Sequence, residues 1–235
     1  MQEIHKLLLS FHQADGSLLA KPRPIRIGLR VPIVRKLLKR DLSFLGVERN
    51  TIAKYWDNVW NNTPYYEAMS LCLYYYQYRD LNKAEVRMIL KWVDRCECWE
   101  HSDDLSKLIA HNLEINRTWI EPTLKKWNRS RNPWKRRQSV VGLLEYSSKR
   151  EVVLEFDELI GFIKPLLKDS DYYVQKGVGW SLREVFNIYP KKTTVFLKDH
   201  LDILSSIAYS SATEKLDAKK KVRFNSERKR MRKKC

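Results

Sequence analysis

Four stretches of the chain decide its fold: Glu67-Ala-Met-Ser-Leu-Cys-Leu73, Asp103-Asp-Leu-Ser-Lys-Leu-Ile109, Arg137-Gln-Ser-Val-Val-Gly-Leu143 and Lys176-Gly-Val-Gly-Trp-Ser-Leu182. Their first residues stand 36, 34 and 39 positions apart. Each opens on a polar or charged residue and carries an aliphatic one six places later. A period of about 35–40 residues in a helical chain marks stacked helix pairs, an α-solenoid. One pair cannot bury its apolar face alone, so neighbours stack into a continuous core. The second helices then line a concave face. That geometry expects Glu67, Asp103, Arg137 and Lys176 in one row along a groove. A loosely regular helical bundle is the competing architecture.

Outward from these stretches the helical period persists. Residues 3–12 place Ile4, Leu7, Leu8 and Phe11 on one face, before a loop holding Ala14, Asp15, Gly16 and the run Lys21-Pro22-Arg23-Pro24. A helix is expected over 32–40 from Pro32, with Ile33, Leu37 and Leu38 inward. Another runs through Val47, Ile52, Trp56, Val59 and Trp60, and Pro64 starts the next. Residues 23–31 are the one strand candidate and read as loop. Glycine supports an all-helical chain. There are 7 in 235 residues, roughly half the average share, too few for many tight turns or phosphate-cradling loops. The fold expected is all-α, an α-solenoid of stacked HEAT-like helix pairs with a concave basic groove.

Hydrophobic residues make up 43% of the chain, which excludes wholesale disorder. Cys72, Cys96, Cys98 and Cys235 form no C-x-x-C pair, and the five histidines make no H-E-x-x-H spacing. No disulfide framework, metal site or cofactor is expected, and a reducing cytosol fits. Without a signal-like N-terminus or an apolar run of membrane length, the chain reads as soluble and not exported.

Lys and Arg number 45 against 28 Asp and Glu, a formal net charge of +17. Residues 219–235 carry net +9 and read as a basic, disordered C-terminal tail; +8 remains on the 1–218 body. A basic tail alone is commonly a solvated extension. A body still at +8 points to a polyanionic partner.

Three local patterns sit on the repeat. Trp99-Glu-His-Ser-Asp103 puts an indole and a carboxylate one helical turn apart. In Asn132-Pro-Trp134-Lys-Arg-Arg137 the arginine opens a second helix. In Gln175-Lys-Gly-Val-Gly-Trp180-Ser-Leu-Arg183-Glu184, small residues stand beside a tryptophan. Helical glycines at 177 and 179 destabilise by about 1 kcal/mol each relative to alanine, which suggests close approach of a backbone or ligand. Singly, each pattern reads more simply as a half-buried surface pair or core filler with a snorkelling neighbour. Their conjunction on one face points to function.

The three patterns, in this order and spacing, resemble the DNA alkylation repair family of HEAT-like alkylpurine DNA glycosylases, the AlkD type. Gly28-Leu-Arg-Val-Pro32-Ile-Val-Arg35 is similar to the family's Gly-V-x-x-Pro-x-x-Arg stretch, and Ile207-Ala-Tyr-Ser-Ser-Ala-Thr-Glu-Lys-Leu216 to its last helix. The resemblance covers about residues 28–216. It implies that Trp99 and Trp180 flank the lesion and its sugar, that Asp103 is the catalytic carboxylate, and that Arg137 binds backbone phosphate. Lys176 and Arg183 join Arg137 as DNA-binding candidates. Ser210-Ser211 stand where the family usually carries Arg-Glu. The lesion is expected to be contacted with its base still in the duplex.

The residues make chemical sense of this. An ordinary N-glycosidic bond needs a general acid for the departing base and help for the sugar. A purine alkylated at N3 or N7 is already cationic, so one carboxylate and aromatic faces suffice. Phosphate contacts position the duplex without reading its sequence. His101, two residues before Asp103, is expected to point away. The expected function is a monofunctional glycosylase releasing cationic N3- or N7-alkylated purines from double-stranded DNA. The expected state is a monomer, cytoplasmic and nucleoid-associated, with no membrane partner. The alternatives are a non-catalytic module for bent or branched DNA and a protein-interaction scaffold.

Overall fold

The computed structural model describes residues 1–10, 24–39, 42, 45–77, 79–144 and 150–233. Readings at Phe11, His12, residues 14–16 and 21–23, and Cys235 lie outside them. Among the described residues are thirteen α-helices, and the one strand-like pairing is an isolated parallel bridge between Ile25 and Tyr65. The chain is all-α, and it divides into two compact units, residues 1–108 and 109–235.

The first unit holds α1 (Gln2–Ser10), α2 (Val31–Leu37), α3 (Arg49–Asn62), α4 (Tyr66–Tyr76), α5 (Lys83–Lys91) and the start of α6 (Trp99–Ile115). α4 is its centre: nine of its residues are buried, and α1, α2 and α3 pack on it. Ile4 and Leu8 of α1 are buried. Trp60 of α3 stacks on Trp92 at 5.0 Å and donates its indole N–H to the Trp92 carbonyl. Trp92 donates in turn to Asp57 at 2.7 Å, so both polar edges of this aromatic core are satisfied. Two sequence expectations shift. In α2, Val34 takes the inward place expected of Ile33. Val47 lies before α3, fully exposed, because Glu48 caps the helix by accepting from the Asn50 and Thr51 amides.

The second unit holds the rest of α6, α7 (Arg117–Trp127), α8 (Pro133–Val141), α9 (Phe156–Ile163), α10 (Tyr172–Ile188), α11 (Pro190–Asp199), α12 (Ser206–Ala212) and α13 (Ala218–Arg232). α7 packs with α8 and α9 with α10, while α8, α10 and α12 lie side by side. The four repeat stretches fall on α4, α6, α8 and α10, every second helix of the series. α8 begins on Pro133, with the Asn132 side chain capping it. α10 begins after Asp171, whose carboxylate accepts from the Tyr173 and Val174 amides.

Most of the stretch expected to be a disordered tail is helical instead. Residues 218–232 are α13, with Asp217 as N-cap and Phe224 and Arg228 buried. The physical reason is local. Phe224 supplies an apolar anchor, and Arg228 donates to the carbonyls of Leu201 and Leu204, in the turn between α11 and α12. Arg232 donates to Leu204 as well, at 2.7 Å.

Candidate functional site

α6 opens on Trp99, which is 50% exposed. One turn on, Asp103 is half-buried. Between them the chain builds an inward face. Glu100 accepts from Arg26 at 2.6 Å, and the Arg26 guanidinium lies 4.0 Å from the centre of the Tyr66 ring. Tyr66 in turn stacks on His101, ring centroids 4.2 Å apart. Burial would raise the Glu100 pKa, but hydrogen bonds and the Arg26 charge hold it below the ordinary carboxylate value. His101 is completely buried. Its Nε2 lies 3.0 Å from the Ser70 hydroxyl and 3.2 Å from the Tyr66 carbonyl, and burial pushes its pKa down to about 4. The neighbouring Cys98 thiol is pushed up to about 12, again chiefly by burial. At neutral pH this face holds an uncharged imidazole and an un-ionised thiol rather than an imidazolium.

Glu67 does not line a groove. Its carboxylate is buried and accepts from three backbone amides, Ile27 at 2.9 Å, Gly28 at 2.8 Å and Leu29 at 3.3 Å. Gly28 sits at φ +92°, a conformation that suits glycine and turns its amide toward the acid. Glu67 therefore fastens the segment before α2 onto α4.

In the second unit Arg137 is 5% exposed and donates from Nη1 to the Tyr173 carbonyl at 2.7 Å. Gly177 makes room for it: a Cβ there would stand 3.2 Å from Arg137 Cγ and 3.3 Å from Nη1. At Gly179 a Cβ would meet the Ala208 carbonyl oxygen at 2.6 Å and its Cα at 2.9 Å. The two glycines thus admit a side chain and a helix backbone, and neither needs a ligand to explain it. Ser211 is small at the same crossing, with its Cβ 3.0 Å from that position. A long Arg or Glu side chain there would have to leave the α10–α12 contact, whereas Ser210 is exposed.

The outward face of α10 carries Tyr172, Tyr173, Lys176, Trp180 and Arg183 at helical spacing. Tyr172 and Lys176 are exposed, with the ammonium 5.7 Å from the Tyr172 ring. Trp134 of α8 stacks on Tyr173 at 5.1 Å. Arg183 lies 5.9 Å from the half-buried Trp180 ring and pairs with Glu214 at 2.9 Å. Sequence patterning singles out neither the Tyr172-Tyr173 doublet nor the Arg26–Tyr66–Glu100 cluster. An aromatic doublet at a capped helix start is the signal that could have found the first. The cluster joins residues too far apart in sequence to leave one.

Among the described residues no three His, Cys, Asp or Glu side chains are grouped to hold a metal ion. None of the described helices is long and apolar enough to cross a membrane.

A model of the family described as DNA alkylation repair enzyme matches residues 21–216. Three solved structures share the fold. A protein from Enterococcus faecalis described as a predicted DNA alkylation repair enzyme is 20% identical, with TM-score 0.67 over 83% of this chain and 89% of its own. AlkD2 from Streptococcus mutans is 20% identical, with TM-score 0.62 over 92% and 99%. The protein smu.31 from Streptococcus mutans UA159 is 18% identical, with TM-score 0.64 over 92% and 98%. A search of curated proteins returned no match.

Proposed function

The chain belongs to the DNA alkylation repair enzyme family, and from that premise we propose that it is a monofunctional DNA glycosylase for cationic N3- and N7-alkylated purines in double-stranded DNA. The observation that carries the reading is the pair on α6: Trp99, 50% exposed, and a half-buried carboxylate one turn later at Asp103. In the proposed reaction the bond from C1′ to the purine nitrogen breaks, and its electron pair leaves with the base, cancelling the positive charge of the lesion. The sugar becomes an oxocarbenium ion, which Asp103 stabilises by its negative charge. Asp103 also orients a water molecule; the water oxygen bonds to C1′ and its proton passes to the carboxylate.

Trp99 and, by the family resemblance, Trp180 offer aromatic faces to the cationic base and sugar, each worth about 0.5–2 kcal/mol depending on desolvation. Lys176 is the most available of the three phosphate candidates, being exposed. Arg183 shares its charge with Glu214, and Arg137 offers only the narrow edge that its 5% exposure leaves. The enzyme works as a monomer among the cell's own DNA in the cytoplasm. No general acid is required, and the nearest histidine is enclosed and neutral.

Selectivity tests this. Duplexes containing N7-methylguanine, N3-methyladenine, hypoxanthine or uracil are incubated with the protein, and free bases are quantified. The first two are released, and the last two remain. Efficient release of uracil or hypoxanthine would require a proton donor that the mechanism does not contain and would overturn it.

A further inference from the structure

α13 lies beyond the residues that match the family model, which end at 216. We infer that it is a second, sequence-blind contact to double-stranded DNA, gripping the phosphate backbone with an outward cationic ridge. The inference rests on the reading of the chain as a DNA-repair enzyme for the identity of its partner.

The helix has two faces with different work. Phe224 and Arg228 face inward, with Lys221 and Met231 half-buried beside them. Arg228 and Arg232 spend their donors on the carbonyls of Leu201, Asp202 and Leu204. Lys221 donates to the Glu214 carbonyl at 3.0 Å. These cations dock the helix. On the opposite side Lys219, Arg223, Arg230 and Lys233 are exposed, four, seven and three residues apart, which keeps their side chains on one helical face, and exposed Lys229 flanks them. The single acid in the helix, Glu227, pairs with Arg223 at 2.8 Å. From 219 to 233 the ridge is about 21 Å long, the length of roughly six base pairs along a duplex.

The chemistry of the ridge selects among polyanions. It carries no aromatic residue, so it offers no stacking platform for the bases of a single strand. Its exposed large apolar residue is Val222 alone, whereas a helix lying in a lipid surface buries a broad apolar face. What remains is an ordered row of charges, suited to regularly spaced phosphates. The docked end also continues toward α10, since Glu214 both accepts from Lys221 and pairs with Arg183.

The test uses the whole protein and undamaged duplex DNA, so its outcome does not depend on base release. A variant with Lys219→Gln, Arg223→Gln, Arg230→Gln and Lys233→Gln is compared with wild type and with a charge-matched control, Lys54→Gln, Lys91→Gln, Lys168→Gln and Lys191→Gln, all exposed positions elsewhere. Circular dichroism and thermal melting establish that each remains folded. In titrations over a range of salt, the ridge variant binds at least about tenfold more weakly at low salt. Its slope of log K against log salt is shallower by about 0.9 for each phosphate it no longer neutralises, while the control changes much less. Equal effects in the two variants would show that net charge acts without a defined site, and would overturn the inference. So would an unchanged slope in the ridge variant, or weakened binding to anionic phospholipid vesicles with duplex binding intact. Wild-type binding with no base release would instead overturn the catalytic reading and leave the ridge standing.

Discussion

Asp103 and His101 stand two positions apart on α6 and meet opposite surroundings, one half-buried, the other sealed against Tyr66, Ser70 and Trp60. The His101 pKa falls from 6.5 to about 4 because burial penalises the imidazolium. The folded state therefore keeps this group neutral where the unfolded chain protonates it. Stability from this site is full above pH 6.5, declines as pH drops, and is gone below pH 4, about 3 kcal/mol in total. Thermal melts from pH 7.5 to 4 should show a steep decline that flattens in His101→Gln, even though that variant begins less stable. A decline of equal steepness in both would place the titrating group elsewhere. At this scale the sequence was legible in part. The spacing of His101 and Asp103 correctly set them on different faces of one helix. Glu67 misled because its partners are the amides of residues 27–29, some 40 positions away, and periodicity cannot see a carboxylate turned inward to bind a distant loop.

Helix packing explains the glycines. In α10, Gly179 faces the Ala208 backbone, so Gly179→Ala sets a methyl against atoms that cannot swing aside. The better helix propensity of alanine, about 1 kcal/mol, is outweighed by overpacking of typically 1–3 kcal/mol or more. Gly161 in α9 is the contrast: nothing lies within 4 Å of its added Cβ. Gly161→Ala should raise stability by about 0.5–1 kcal/mol. Denaturant titrations of the two variants should give opposite signs, and a stabilised Gly179→Ala would mean that the α10–α12 crossing is looser than described. The repeat was readable because its four stretches are the buried second helices, where apolar spacing is enforced by packing. α13 was not. It has almost no apolar periodicity, and its docking leans on two arginines, buried Arg228 and exposed Arg232, whose bonds to carbonyls composition alone cannot tell from solvated charge.

For the molecule as a whole, +17 of net charge is divided between docking and display. Some cations are consumed inside, as Arg136 is by Asp169 through two bonds of 2.6 and 3.1 Å. Others, Lys176 and the α13 ridge among them, face solvent. The all-helical class and the helix-pair order were legible from period and glycine scarcity; the family resemblance, carried by the residues around Trp99, Arg137 and Trp180, supplied the chemistry. The claim on which this account turns is that one carboxylate performs the hydrolysis. Single-turnover release of N7-methylguanine from duplex DNA, at enzyme concentrations that saturate binding, measures it in wild type and Asp103→Asn. The account predicts that the variant binds the duplex about as tightly as wild type and releases the base at least about tenfold more slowly, a deficit of about 1.4 kcal/mol or more in transition-state stabilisation. Release by Asp103→Asn at the wild-type rate would contradict it.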